Sequence, residues 1–316
     1  VVSGASMTEN SARATVHEGA RVGVACVTQD RPGDVDTLID ALRVQTEPVA
    51  SLCLVDAGRA ALDEDRLRQR IGGAFALHYR RSEANLGGAG GFALAILTAL
   101  AAGSEQVWLM DDDAHPEDPE CLAVLRTAAR ERDLAVVSPL IVAPQDHSLL
   151  SFPYRLEGGI THRRADLEPL GFLDSYANFF NGALVDESVF FRVGLPDLKL
   201  FLRGDEVDFL VRLRRSGLPF GTVTTTAVSH PPGWDEEHVV VPGKLQVLIP
   251  PGEFKQRHFF RNRGYVSWHY KRVVQLGADA IGYPAHYIKT RDLKGLRTWA
   301  RLYTDGMRGR GFGGPR

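Results

Sequence analysis

The chain has 316 residues, 44% hydrophobic, 24% charged and 9% aromatic, a balance that supports one large core or two modest ones and excludes disorder, collagen and coiled coil. Three cysteines, Cys26, Cys53 and Cys121, form an odd set without CxxC or Cys/His ligand spacing, which fits a reducing cytoplasm. The net charge of −2 conceals a division: from Gly252 onward 14 Lys and Arg stand against 4 Asp and Glu, whereas the residues before it carry 23 against 35.

Residues 1 to 20 lack periodicity and read as a flexible N-terminal segment, with Met7 suggesting a later start. RVGVACVTQ (21 to 29) and ASLCLVDAG (50 to 58) then read as short strands, with an amphipathic helix near 34 to 45 between them. FALHYRR is a third strand, NLGGAGG opens a helix over 91 to 102, and EQVWLMDDD is a fourth strand ending in three aspartates. Four successive alternations predict an α/β fold with a mostly parallel, Rossmann-like sheet flanked by helices. The most apolar stretch, AGGFALAILTALAAG, falls short of the roughly 20 residues a membrane-spanning helix needs.

In such sheets ligands gather beyond the carboxyl ends of the strands, where Thr28 to Arg31, Asp56, Asn85 to Gly91 and Asp111 to Asp113 all fall. Three adjacent carboxylates at the end of a buried strand repel one another unless a cation or hydrogen-bond donors compensate. Asp111 and Asp113 point the same way on an extended chain end, an arrangement suited to Mg²⁺ or Mn²⁺ holding a diphosphate; the competing reading is an acidic turn capping a helix over 117 to 131. NLGGAGGF lacks a GxGxxG frame, so its glycines serve either close backbone approach to a ligand or tight helix packing.

After Pro139 the pattern loosens into mixed strands and loops, with helices over 187 to 193 and 205 to 216. LFLRGDEVDFLVRLRRSG places Asp205, Glu206 and Asp208 at a helix start, where one carboxylate serves as a base and another orients a loop or binds substrate. His230 ends a strand and is either structural or completes a metal shell. Trp234 packs a sugar face or covers the core, and residues 231 to 252, rich in Pro and Gly, read as a mobile loop closing over bound ligand. The remainder reads as two or three basic amphipathic helices whose aromatics suit an anionic membrane surface, the alternatives being a solvated face or an oligomer contact. Nucleic acid is not indicated, because no helix-turn-helix, zinc-finger or RNP pattern accompanies the charge.

Taken together, VTQDRPGDVDTLIDALRVQT, LCLVDAG, NLGGAGGFALAI, VWLMDDDAHPED, FFNGALV, LFLRGDEVDFLVRLRRSGLPFGT, SHPPG and FFRNRGY resemble the inverting, metal-dependent family 2 glycosyltransferases of GT-A fold. The likeness runs from about Arg21 to Tyr270 and is strongest to the galactofuranosyltransferases that initiate cell-wall galactan of the mycobacterial type. It implies a donor, UDP-galactofuranose, and an acceptor, the rhamnose of a polyprenyl-diphosphate-GlcNAc-rhamnose primer, with Mn²⁺ or Mg²⁺ as cofactor.

Carried over residue by residue, the resemblance makes Asp56 and Arg31 uridine contacts, and Asn85, Gly87 and Gly88 the lining of the nucleotide cleft. Thr28, Asp111 and Asp112 join that donor-binding set, Asp111, Asp113 and His230 form the metal site, and Glu206 aligns with the base while Asp205 stays open for that role. Acceptor contacts fall to Trp234, Arg261 and Arg263, the arginines gripping a lipid diphosphate. The implied organisation is a nucleotide-sugar half over 21 to 140, an acceptor and catalytic half over 141 to 252, and a basic helical region over 253 to 316. The implied location is the inner face of the plasma membrane, peripherally attached, with homo-oligomers allowed. A rhamnosyltransferase using a dTDP-sugar and a non-catalytic nucleotide-sugar-binding subunit are the alternatives that share these features.

Overall fold

A computed structural model describes residues 19 to 313, so all but the last two residues of the expected flexible N-terminal segment lie outside the described residues. Strands β1 (Val22–Thr28), β2 (Ser51–Asp56), β3 (Ala76–Arg81) and β4 (Gln106–Asp111) alternate with helices α1 (Pro32–Arg43), α2 (Glu64–Ile71) and α3 (Gly87–Ala101). After β5 (His115–Pro116) and α4 (Cys121–Glu131) come β6 (Val136–Ala143), β7 (Asp146–Leu156), β8 (Gly159–Arg163), β9 (Phe172–Asp174) and β10 (Asn181–Asp186). Helices α5 (Glu187–Val193) and α6 (Asp205–Ser216) precede β11 (Phe220–Ser229), the hairpin β12 (Glu237–Val241) and β13 (Leu245–Leu248), and helices α7 (Glu253–His269), α8 (Val273–Lys289) and α9 (Leu293–Met307).

The main sheet runs in the order β3-β2-β1-β4-β10-β6-β11-β5. Strands β3, β2, β1 and β4 are mutually parallel and β6 is parallel to β11, whereas β10 runs antiparallel to both neighbours. The β1 and β2 runs are almost wholly apolar because helices cover both faces, which is what parallel pairing requires. One face packs Leu38, Ile39, Leu122 and Leu125 against Trp108; the other packs Phe92, Ile96, Phe179, Phe209 and Leu213 from α3, α6 and the β10 approach. Strand β6 is a single buried strand in the middle of the sheet, so the boundary expected between residues 140 and 141 cuts through it.

The stretch expected as a mobile loop, 231 to 252, holds a one-turn helix, Trp234–Glu236, followed by the β12–β13 hairpin packed on α8. Backbone pairing satisfies this Pro- and Gly-bounded stretch in a way its composition does not announce. The last three helices enclose their own core of Phe260, Tyr283, Tyr287, Trp299 and Tyr303. Helices α7 and α9 cross closely because Gly264 lies against the Tyr303 carbonyl and Gly306 against the Arg261 carbonyl, positions where any β-carbon would collide.

Candidate active site

The acidic end of β4 divides its three carboxylates between two roles. Asp112 turns back into the protein: its Oδ2 accepts from Thr28 Oγ1 at 2.7 Å and its Oδ1 from Arg31 Nη1 at 2.9 Å. Asp111 ends β4 and Asp113 follows in a turn, and the two carboxylates come together beside His230. Arg31 also pairs with Asp113, and His230 Nε2 lies 3.3 Å from Asp113 Oδ1. Burial pushes Asp111 well above the ordinary carboxylate range, and Asp113, Asp112, Glu206 and Asp205 add to the rise. Burial also raises Asp113, but His230 and Arg31 outweigh it and hold that carboxyl low.

Ligand atoms of Asp111, Asp113 and His230 all lie within 4.8 Å of one another, a spacing that one divalent cation bridges. Among the described residues no hydrogen-bond donor serves the Asp111 carboxylate, and His230 Nδ1 is buried without a partner. A carboxylate surrounded by carboxylates and a histidine held at the same point are a donor set that a hard cation completes. His230 reaches this point because β11 pairs in parallel with β6 and ends at Ser229; its backbone N–H donates to the Val142 carbonyl at 3.0 Å, and its ring packs on Phe152.

Opposite the aspartates, α6 begins with Asp205 and Glu206. Glu206 Oε1 accepts from the Phe179 backbone N–H at 2.6 Å, which holds the carboxylate within the electrostatic reach of Asp111 and His230. Burial raises the Glu206 carboxyl against the lowering influence of that N–H, His230 and Arg203. Asp205 is only 5% exposed, and burial pushes its carboxyl up to about 7. Arg203, just upstream, forms a two-pronged ion pair with Glu236 at 2.7 and 2.6 Å, tying this turn to the segment after His230.

The turn that presents the two carboxylates is strained and braced from outside. Phe201, Arg203 and Gly204 all have positive φ, at 63°, 65° and 93°. Asn262 of α7, fully buried, donates its amide group to the carbonyls of Leu200, Leu202 and Arg203, and Arg261 adds a bond to the Leu200 carbonyl. On the other side the Ala89 N–H at the start of α3 donates to the Phe201 carbonyl at 3.1 Å. Gly87 has φ 65° and abuts that same carbonyl, and a β-carbon on Gly88 would lie 3.5 Å from Asp205 Oδ2. The glycines of NLGGAGGF therefore let α3 meet the turn carrying Asp205, with Asn85 Oδ1 accepting from the Gly87 N–H at 2.8 Å to close the corner.

Several expected ligand contacts are already spent within the protein. Asp56, 1% exposed, accepts from Gly58 N–H, Leu62 N–H, the Tyr79 hydroxyl and Arg81, so it orders the 57 to 62 loop and has no lone pair open to a uracil. Arg31 is ion-paired with Asp112 and Asp113, and Thr28, the cross-strand partner of Asp56, is 1% exposed and bonds its hydroxyl to Asp112. Arg261 is 2% exposed and bonded to Asn262, His258 and the carbonyls of Leu200 and Gly311; burial lowers its pKa to about 10. Arg263 forms a two-pronged pair with Asp279, at 2.9 and 2.8 Å. Neither arginine is free to grip a lipid diphosphate, because α7 turns both into the helical core.

Trp234 donates its indole N–H to the Leu150 carbonyl at 3.0 Å and lines a cavity of about 490 Å³ with Leu149, Ile160, His162 and Glu237, between β8 and the hairpin. The residues that sequence reasoning left without a role are Asn262, Arg203 and Glu236. Asn262 lies within FFRNRGY, but nothing in its neighbourhood marks it as a brace for a turn about sixty residues earlier.

No family model matches the chain. It is 40% identical over 295 residues, 92% of this chain and 96% of the relative, to "Galactofuranosyltransferase GlfT1" of Mycobacterium tuberculosis. It is 37% identical over 294 residues, 90% and 95% of the two chains, to the protein of that name from Mycolicibacterium smegmatis. Among solved structures it is similar to the mannosyltransferase PcManGT from Pyrobaculum calidifontis in complex with GDP-Man and Mn²⁺, with a TM-score of 0.51 and 16% identity over 93% of this chain and 76% of that one. It also matches GalNAc-T7 with UDP, GalNAc and Mn²⁺, with a TM-score of 0.55 and 13% identity over 90% and 54%. At those identities the likeness establishes the fold, which is GT-A.

Proposed function

Because the chain belongs to the GlfT1 family of galactofuranosyltransferases, we propose that it moves galactofuranose from UDP-galactofuranose to the rhamnose of a polyprenyl-diphosphate-GlcNAc-rhamnose primer, with inversion. The observation that carries this reading is the convergence of Asp111, Asp113 and His230 at one point, with the carboxylates of Asp205 and Glu206 near enough to raise Asp111. A diphosphate leaving group and an acceptor hydroxyl need these two devices on opposite sides of the sugar.

In this mechanism Glu206, oriented by the Phe179 N–H, takes the proton from the acceptor hydroxyl as that oxygen bonds to the anomeric carbon and the bond to UDP breaks. Its raised pKa brings it closer to the pH at which a base must both be ionised and accept a proton. Asp111, Asp113 and His230 would hold Mn²⁺ or Mg²⁺, which when bound would offset the negative charge of the departing diphosphate. Asp112 and Arg31 hold the β4 end in place, and Asp205 borders the α3 start beside Gly88. Trp234, in its cavity beyond His230, is assigned to the acceptor side. The acceptor's lipid places the enzyme at a membrane surface.

The test is incubation of the protein with UDP-galactofuranose, Mn²⁺ and a synthetic rhamnosyl-GlcNAc-diphosphate lipid, followed by mass spectrometry and linkage analysis. One added galactofuranose in the inverted configuration is the expected product; transfer only from a dTDP-sugar would replace the donor assignment.

A further inference from the structure

Helix α8 presents to solvent a face that carries no charge. Val274, Ile281 and Ile288 are 85%, 65% and 62% exposed and recur every seven residues, so they line one side of the helix. Gly277, Pro284 and Ala285 fall between them on the same side. The opposite side, with Tyr283 and Tyr287, enters the aromatic core, and the only carboxylate of the helix, Asp279, is turned inward to Arg263. From Val274 to Ile288 the stripe is about 21 Å long at the rise of an α-helix. Soluble surfaces seldom leave so much aliphatic side chain together without a partner.

The ends of this stripe are basic. Lys271 and Arg272 precede it, and Lys289, Arg291 and Lys294 follow it. The one carboxylate among those flanks, Asp292, accepts from the Gly295 N–H and caps α9. We propose that the outer face of α8 docks the protein on an anionic lipid bilayer, the helix lying in the interfacial plane with its stripe among the acyl chains and its basic ends at the lipid phosphates. No described helix is long and apolar enough to cross a membrane, so the stripe fits lying on the bilayer. A second copy of the chain is the weaker occupant on charge grounds: two such helices side by side would bring cationic ends together with only Asp292, already engaged at the α9 cap, as an exposed carboxylate among them.

This face differs from the one the sequence suggests. Of the tail residues expected at the interface, Phe260, Tyr283, Tyr287, Trp299, Tyr303 and Arg261 are buried, while Phe254 and Trp268 stay exposed on α7. The aliphatic residues of α8 take the place of the buried ones. The purpose of the docking, reaching a lipid-linked acceptor, rests on the proposed reaction; the surface itself does not.

The experiment is co-sedimentation of the full chain with vesicles of phosphatidylglycerol and phosphatidylcholine in equal parts, and with phosphatidylcholine alone, at low and high salt. The unaltered protein should favour the anionic vesicles and be partly released by salt. The combined variant Val274→Ser, Ile281→Ser, Ile288→Ser should bind them about tenfold more weakly or less, while still transferring galactofuranose to a water-soluble rhamnoside as well as the unaltered protein. Lys289→Glu with Lys294→Glu should weaken binding to anionic vesicles alone. Vesicle binding unchanged in the serine variant would overturn the proposal, as would loss of self-association in sedimentation velocity with vesicle binding intact, which assigns the face to a second copy. Failure of the unaltered protein to use the soluble rhamnoside bears on the reaction and leaves the vesicle result to be read by itself.

Discussion

Gly204 and Asn262 meet at the joint between the catalytic sheet and the C-terminal helices: a β-carbon on Gly204 would stand 2.9 Å from the Asn262 β-carbon. Gly204 also sits at φ 93°, where only glycine is at ease, and is followed directly by Asp205 and Glu206. The helical region is thus part of the frame that aims the two carboxylates.

Asn262→Ala removes one amide that serves three carbonyls of that turn, and should cost about 2 to 4 kcal/mol of stability. Turnover should fall tenfold or more in the fraction that stays folded, with donor affinity little changed, since a displaced base loses transition-state geometry while leaving the nucleotide cleft intact. Calorimetry with UDP beside steady-state kinetics checks both parts. An unchanged turnover number would mean that the turn holds its shape without the brace.

Asp113→Ala is expected to abolish most activity and to weaken UDP binding only when Mn²⁺ or Mg²⁺ is present, because the lost carboxylate acts through the cation. Titration calorimetry with and without EDTA separates this from a direct contact, which would weaken both equally.

Glu206→Gln should lower turnover by about 10² or more while donor affinity holds, as for a group that acts in the transition state. Single-turnover kinetics of Glu206→Gln and Asp205→Asn side by side decide the assignment: a larger loss in the Asp205 variant would move the base to that residue.

Asp205 rises from an ordinary 3.8 to about 7 through burial. The favourable contribution of its protonated form is complete below the unfolded value and is lost as pH rises through about 7. Asp205→Asn keeps that contribution at every pH, so its melting temperature should stay close to that of the unaltered protein near pH 4 and exceed it at pH 8. At about 1.4 kcal/mol per unit of pKa, the gap amounts to a few kcal/mol. Melting curves of the metal-free proteins across that range test it, and parallel curves would remove the effect.

Arg263→Ala leaves the buried Asp279 carboxylate without its two-pronged partner and should cost about 3 to 5 kcal/mol. Acceptor KM should stay near that of the unaltered protein if the arginine serves the helical core, and denaturant melts with acceptor titration read both quantities. A selective rise in acceptor KM at unchanged stability would return Arg263 to the substrate.

Local pattern was enough to place much of this protein. The alternation of apolar runs and amphipathic stretches from Arg21 to Asp113 specified the parallel half of the sheet, because strand and helix periodicity depend only on near neighbours. The same local logic put the three aspartates at the end of β4 and Asp205 and Glu206 at a helix start. What charge and composition left open was which polar groups stay available. Asp56 is taken by Tyr79 and the 57 to 62 loop, Arg261 by carbonyls of Leu200 and Gly311, and Arg263 by Asp279, partners that only the folded chain brings within reach. The same holds for the surface: α8 and its neighbours share a basic and aromatic composition, yet only packing decided that Phe260, Tyr283, Tyr287, Trp299 and Tyr303 turn inward and that Val274, Ile281 and Ile288 face out. A side chain's chemistry is written in sequence, but the donor that saturates it or the neighbour that covers it arrives from tens of residues away, and that distance is closed only by the tertiary fold.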